Sequence, residues 1–218
     1  MFFLGHMTWA YIWASIFAGK SKVKLIVPAV LILGIAPDVD IFLRGFGVLH
    51  HTFTHSFLFW LVVFVPFFAV FRRKSIPYFA AVVQHFAFGD LLVGNVMIFW
   101  PFNQSFFGFN IAMTSTLDVA LETTGLLLAA GISYFNGDLK RMLSIDVQNL
   151  LMFFPLSALS LSMTHFAVDW PLIPLITYIW SRKILTIIVL GHIILAVFLA
   201  LSTIQGLRKL LKITLHEQ

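Results

Sequence analysis

The sequence predicts an all-α fold, a polytopic transmembrane bundle of about seven helical segments, some of them short. Of its 218 residues, 60% are hydrophobic and only 11% are charged, and the mean hydropathy is +0.97. A soluble domain is about 25% charged and less than half apolar. Apolar runs recur along the whole chain, with positive charges between alternate runs. We therefore expect one transmembrane domain over residues 1–218.

The predicted segments approach the length of about 17–25 residues that a membrane-spanning helix needs. In chain order they are Met7–Gly19, Val23–Ala36, His55–Phe71, Ile76–Trp100, Leu117–Phe135, Gln148–Val168 and Ile184–Leu201. The first two hold about 13 apolar residues each, about 20 Å of helix against a hydrocarbon core of about 30 Å. The stretch Trp170–Lys183 is interpreted as an outer loop or a partly embedded segment; if it crosses, the C-terminal tail changes side.

The positive charges predict the orientation of the bundle in a cell membrane. Eleven of the 14 lysines and arginines lie in connections on one side, namely Lys20, Lys22, Lys24, Arg72, Arg73, Lys74, Lys140, Arg141, Arg208, Lys209 and Lys212. The positive-inside bias makes that side cytoplasmic, and it leaves no basic face for nucleic acid. The N-terminus, which lacks a positive n-region and is not expected to be a cleaved signal peptide, then faces outward together with Ala36–Ser56.

The stretch Ala36–Ser56, APDVDIFLRGFGVLHHTFTHS, concentrates the polar chemistry of the chain. It holds two carboxylates and three imidazoles: Asp38, Asp40, His50, His51 and His55. Such groups are costly near hydrocarbon unless they are paired. Since the chain has no cysteine, imidazoles and carboxylates are the ligands left for a metal. The bland alternative is an Asp-rich helix end with interfacial histidines.

Local geometry sharpens this expectation. Pro37 favours an extended PDVD, in which both carboxylates point to one face. Thr52 or Thr54 is expected to cap the third segment, with His55 on its first turn. Depth agrees as well, because the residues that follow are each 14 to 17 positions from the nearest lysine-rich connection. They are His6, Asp38, His55 and Asp90.

The order of these motifs resembles the LexA-regulated, membrane-bound metal-dependent hydrolase family, which is similar in motif order to the zinc-dependent phospholipase C and P1 nuclease group. The motifs are Gly5–His6, PDVD at Pro37–Asp40, HHTFTHS at His50–Ser56, and His85, Asp90 and Trp100–Pro101. The resemblance covers residues 1–102 of the domain, from position 5 onward, and leaves 103–218 as additional helices. It implies a metal site formed by His6, Asp38, Asp40, His50, His55, His85 and Asp90.

Two departures from the family pattern matter for the site. Where the family has HRGxTHS, this chain has His51 and Thr52, so an arginine that would meet a phosphate is absent; either His51 replaces it or the substrate differs. The family spaces its later pair as HxxxD, whereas His85 and Asp90 are five apart. On a regular helix that spacing points the side chains apart. Either one of the two is not a ligand, or a π-bulge eased by Gly89 absorbs the extra residue.

Two further polar pairs occur on later segments, Asp118 with Glu122 and His165 with Asp169. They are interpreted as structural ion pairs, for example between Glu122 and His165. The alternative is that His165 and Asp169 contribute to the metal site.

Seven candidate ligands exceed the three that a catalytic zinc needs, so we expect two or more divalent ions, bridged by Asp38 or Asp40. Zn²⁺ suits the set, with Mn²⁺ or Fe²⁺ as alternatives. The catalytic candidates are Asp38, Asp40 and His51. The expected reaction is hydrolysis of a phosphoester in a membrane lipid or lipid-linked substrate near the extracytoplasmic face. The alternative is a non-catalytic metal-binding or metal-transport protein, although the apolar inner halves of the segments disfavour transport. The sequence leaves the oligomeric state open.

Overall fold

The computed structural model describes residues 1–113, 115–169 and 183–216, and in these ranges the regular elements are helices. They are α1 (Phe3–Ser21), α2 (Val27–Ile35), α3 (Asp40–Leu43), α4 (Phe57–Phe71), α5 (Ile76–Gln84), α6 (Thr116–Phe135), α7 (Asp138–Met142), α8 (Phe153–Asp169) and α9 (Lys183–His216). Shorter 3-10 turns lie at Ala36–Val39, Arg44–Phe46, Phe53–His55, Arg72–Ser75 and Val147–Met152, and a π-helical turn lies at His85–Asp90. The prediction of an all-α fold is confirmed.

Two of the described helices are long and apolar enough to cross a membrane, Thr116–Phe135 and Thr186–Leu215. A shorter apolar helix covers Val147–Leu161. The count of seven crossing segments therefore stays a prediction. So does the crossing of Trp170–Lys183, since residues 170–182 lie outside the described part of the chain.

Two predicted segments end in the wrong place. The segment Ile76–Trp100 leaves the helical conformation after Leu92, and the chain from residue 93 to 113 is a loop closed by a β-bridge between Val96 and Phe107. Gly94 and Pro101 disfavour helix in this stretch. The segment Ile184–Leu201 instead continues as α9 to His216, because the lysines and leucines beyond it are good helix formers.

The connection between α2 and α4 also differs from the predicted one. Ala36–Val39 forms a 3-10 turn, not an extended strand, because the fixed φ of Pro37 also fits the first positions of a helical turn. Ser56, not Thr52 or Thr54, caps α4 by accepting a hydrogen bond from the Phe59 backbone N–H at 3.4 Å. His55 therefore lies in the turn before α4, and the Thr54 hydroxyl is left to bond elsewhere.

Helix α1 lies at the centre of the described bundle and packs against α2, α5 and α6. The approach of α2 is close because Gly34 has no side chain: a Cβ there would lie 2.5 Å from the Ala10 Cβ and 3.0 Å from the His6 carbonyl oxygen. On the α5 side, the Gln84 side-chain amide donates to the same His6 carbonyl at 2.9 Å. These contacts bring the first turn of α1 beside the last turns of α2 and α5.

Candidate metal centre

The predicted ligands meet in one cluster at this junction of helix ends. Side-chain atoms from overlapping groups lie within 4.8 Å of one another, close enough to share an ion. The groups are Asp38, Asp40, His50 and His55; His6, Asp38 and His85; His55, His85 and Asp90; and His50, His51 and His55. Six of the seven predicted ligands are buried, and His50 is half-buried. The structure thus brings all seven together, along with His51.

Asp38 stands between three of the imidazoles. Its Oδ1 lies 3.4 Å from His85 Nε2, 3.5 Å from His55 Nε2 and 3.8 Å from His50 Nε2. Burial by itself raises the pKa of Asp38, but the neighbouring His85 and His55 outweigh it and hold that pKa well below its usual range. Asp38 is therefore an anion whose single oxygen faces several ligand nitrogens, which suits a bridge between two ions.

Asp90 occupies the opposite side of the same imidazoles. Its Oδ2 lies 3.2 Å from His85 Nε2 and 3.3 Å from His55 Nε2, and its Oδ1 lies 3.4 Å from His6 Nε2. His55 and His85 are thus flanked by a carboxylate on each side. Two anions around two shared imidazoles provide charge for more than one divalent cation.

Asp40 has a different place, behind the imidazoles. Its Oδ1 lies 2.7 Å from His50 Nδ1, and its Oδ2 accepts the Thr54 hydroxyl at 2.7 Å and lies 3.3 Å from His55 Nδ1. Burial raises the pKa of Asp40, yet the hydrogen bonds from His50 and His55 lower it further, so the carboxyl is ionised. Because it engages the Nδ1 side of both rings, Asp40 orients the two Nε2 atoms toward Asp38. This geometry favours Asp38 over Asp40 as the bridging carboxylate.

His85 and His6 are fixed from outside the cluster in a similar way. His85 Nδ1 lies 2.7 Å from the Gly34 carbonyl oxygen, and an imidazole that donates there keeps its Nε2 lone pair for the cluster. The His6 ring stacks on the His85 ring, with centroids 3.7 Å apart and an angle of 15° between planes. Gly34 and Thr54 therefore support the site, although the sequence offered no ligand signal at the first and only a helix-cap signal at the second.

Several buried atoms in the cluster have no hydrogen-bond partner among the described residues. They are His6 Nδ1, His55 Nε2, His85 Nε2 and Asp90 Oδ2. A buried polar atom without a partner costs about 1–3 kcal/mol, so a native structure seldom leaves several of them together. Imidazole nitrogens and carboxylate oxygens are the ligands that Zn²⁺ accepts in the absence of thiolates. The residues present therefore fit a divalent metal.

The five-residue spacing between His85 and Asp90 is resolved by a π-helical turn that spans exactly this pair in register, His85–Asp90. Of the two alternatives, the structure has the π-bulge. The wider turn absorbs one residue and turns both side chains into the cluster, where their nearest atoms are 3.2 Å apart. Gly89 is required in this turn, because a Cβ there would lie 2.6 Å from His6 Cε1.

Deletion of Ala87 tests the bulge directly. The shortened chain would have the HxxxD spacing, and a regular α-helical turn would then place His85 and Asp90 on one face. We expect the variant to retain metal binding within about 10-fold of the parent, because second-sphere disturbances typically cost about 10–100-fold and here the ligands are kept. Isothermal titration with Zn²⁺ measures this. Insertion of an alanine after Ala87 is the matched control, and it should abolish binding; equal loss in both variants contradicts the role assigned to the bulge.

His51 lies at the outer edge of the cluster, with its Nε2 4.0 Å from Asp90 Oδ1 and its side chain 26% exposed. Its φ of +64° is in the left-handed region, which few non-glycine residues adopt. Burial lowers the pKa of His51 to about 4, so the imidazole is neutral at pH 7. A neutral ring can accept a proton or a hydrogen bond, but it does not supply the permanent positive charge of the absent arginine.

The remaining polar pairs lie away from this cluster or outside the described side chains. Glu122 is fully buried on α6, and its Oε1 accepts the Phe2 backbone N–H at 2.7 Å. Asp118 is buried one turn earlier. The side chains of His165 and Asp169 lie outside the described part, so their predicted pairing with Glu122 and their alternative role at the metal site both stay predictions.

Comparison with known proteins gives one family match. The chain matches the family described as YdjM inner membrane protein over residues 1–166 of its 218. The match is consistent with the membrane family expected from the motifs, and it extends well beyond the stretch that the motifs cover. No curated protein and no solved structure matches the chain.

Proposed function

We propose that this chain, which belongs to the YdjM inner membrane protein family, is a metal-dependent hydrolase that cleaves a phosphoester of a membrane lipid or lipid-linked molecule. One observation carries the proposal: Nε2 of His55 and His85 and Oδ2 of Asp90 are buried together, lie within 3.3 Å of one another's partners across the cluster, and have no hydrogen-bond partner among the described residues. Such a set is arranged for cations, and its half-exposed edge at His51 gives a substrate access.

The proposed ligand sets follow from the overlapping groups. Asp38 with His50 and His55 holds one ion, and His85 with Asp90 and His6 holds a second, with Asp38 facing both sets. Bound divalent ions would lower the pKa of a coordinated water toward about 7 and stabilise charge on a phosphoryl group. Asp40 keeps the His50 and His55 rings in position. His51, at the exposed edge, is placed to accept a proton from water or to bond a substrate oxygen.

The substrate class rests on location and resemblance. The depth pattern of the sequence predicts that the cluster lies near the extracytoplasmic headgroup layer of a multi-pass bundle, where lipid phosphates are found. The similarity in motif order to phospholipase C supplies phosphoester hydrolysis as the reaction. Zn²⁺ is the preferred ion, with Mn²⁺ and Fe²⁺ as the other metals to test.

Purified protein in lipid nanodiscs provides the test. We expect bound zinc by elemental analysis, and release of phosphate-containing products from at least one member of a phospholipid panel. Chelation should abolish that release, and zinc should restore it. His55→Ala should lose metal and activity together, whereas His216→Ala, at the end of α9, should keep both. Bound metal with no hydrolysis of any lipid would favour the non-catalytic metal-binding alternative, and absence of metal would overturn both.

A further inference from the structure

The candidate site is bordered by apolar side chains that project from connections between helices. The first such segment, residues 41–49, links Asp40 to His50 and is called here the first rim segment. In it Phe42 is 68% exposed, Phe46 is 86% exposed and Leu49 is 69% exposed. Apolar side chains on lipid-facing helices are ordinary in a membrane protein, but on a connection beside a polar site they need a separate explanation.

A second rim segment, residues 93–113, has the same character. Phe102 is 87% exposed and Phe109 is 72% exposed, and Phe99 is 55% exposed. The whole stretch 91–117 contains no charged residue, and its polar groups are amides and hydroxyls. The first rim segment has a single charge, Arg44. The connections on the lysine-rich side, by contrast, carry eleven cations.

Hydrogen bonds tie the second rim segment to the edge of the site. The Met97 backbone N–H donates to the His51 carbonyl at 3.0 Å, and the Phe109 N–H donates to the Leu91 carbonyl, next to Asp90, at 2.7 Å. The Val96–Phe107 bridge closes the tip that carries Phe99 and Phe102. The two rim segments therefore lie on either side of the exposed edge of the cluster.

Water is a poor neighbour for these side chains, because burying a phenylalanine is worth about 1.5–3 kcal/mol. Aromatic side chains mixed with uncharged polar groups are typical of segments at the membrane–water interface, where rings lie below the headgroups and amides bond to them. A soluble partner domain would meet more charged residues at such a surface. The absence of charge along 91–117 therefore favours lipid as the occupant.

We propose that the two rim segments insert into the phospholipid leaflet opposite the lysine-rich connections, so that the edge of the cluster at His51 opens directly into the headgroup layer. Insertion places lipid headgroups beside the candidate ligands without a crossing through bulk water. The proposal concerns where the segments lie, and it stands whether or not the cluster hydrolyses lipid.

The chain has no cysteine, so single-cysteine variants can be spin-labelled without background. We expect labels at Phe46→Cys and Phe102→Cys, in nanodiscs of phosphatidylethanolamine and phosphatidylglycerol, to relax more with oxygen than with a water-soluble nickel complex. Ile194→Cys, 61% exposed on α9, is the lipid-facing reference, and Ser144→Cys, exposed beside α7, is the aqueous reference. Circular dichroism of each variant checks that the helices are intact.

Two outcomes would overturn the proposal. If both rim labels respond to the nickel complex as the label at Ser144 does, the segments lie in water. If they show dipolar broadening between chains in singly loaded and doubly loaded nanodiscs alike, or broadening that disappears on dilution with unlabelled protein, a second copy of the chain covers them instead.

Discussion

Asp38→Asn is expected to reduce Zn²⁺ affinity more than about 100-fold and to leave the purified protein without stoichiometric metal, because even outer-sphere partners of a metal site cost about 10–100-fold. The reason is the position of Asp38 Oδ1 within 3.5 Å of both His55 Nε2 and His85 Nε2. An amide of the same size removes the anion and offers N–H protons to atoms that must coordinate. Elemental analysis and zinc titration measure the loss, and phosphoesterase activity should fall with it.

A graded comparison makes this prediction specific. Asp40→Asn should weaken binding by only about 10–100-fold, because Asp40 orients His50 and His55 and does not bridge the cluster. Asp146→Asn, an exposed carboxylate of the lysine-rich side, should change nothing. If Asp40→Asn costs as much as Asp38→Asn, the assignment of Asp38 as the bridge is wrong. If all three variants bind zinc like the parent, no metal site exists at this cluster.

Gly89→Ala is expected to have the second largest effect. A methyl group at this position would lie 2.6 Å from His6 Cε1 and 2.8 Å from His6 Nδ1, closer than any ordinary contact. Either His6 moves away from Asp90 or the π-helical turn opens, and both separate ligands. We expect zinc affinity to fall at least about 10-fold and stability to fall by about 1–3 kcal/mol, as for other overpacked cores. Zinc titration and thermal unfolding in detergent measure the two effects.

Gly131→Ala on α6 is the matched control, because a Cβ there meets nothing within 4 Å. In a helix interior alanine is favoured over glycine by about 1 kcal/mol, so this variant should be as stable as the parent or more so. Metal affinity unchanged in both glycine variants would show that His6 is not held against Asp90 in the metal-bound protein. His6→Ala with parental affinity would lead to the same conclusion from the other partner.

The residues of the candidate site were open to prediction because their chemistry does not depend on the fold. A chain without cysteine offers only imidazoles and carboxylates, and in this chain those groups gather between apolar runs at matching depths. The structure brings all seven predicted ligands together. The division of roles was not open to prediction, since Asp38 and Asp40 are two residues apart and differ only in which face of which imidazole they meet.

The sequence by itself determined the helical class, the membrane character and the set of polar residues near one layer, because composition and apolar run length act through the solvent that each segment meets. Only the tertiary structure decided that Ser56 caps α4, that the fourth helix ends at Leu92, and that the spacing of His85 and Asp90 is taken up by a π-helical turn. These choices are made by contacts between distant parts of the chain, such as Gly89 against His6 and Gly34 against His85. Local spacing permits several backbone conformations of similar energy, and the packing of neighbouring helices selects one of them.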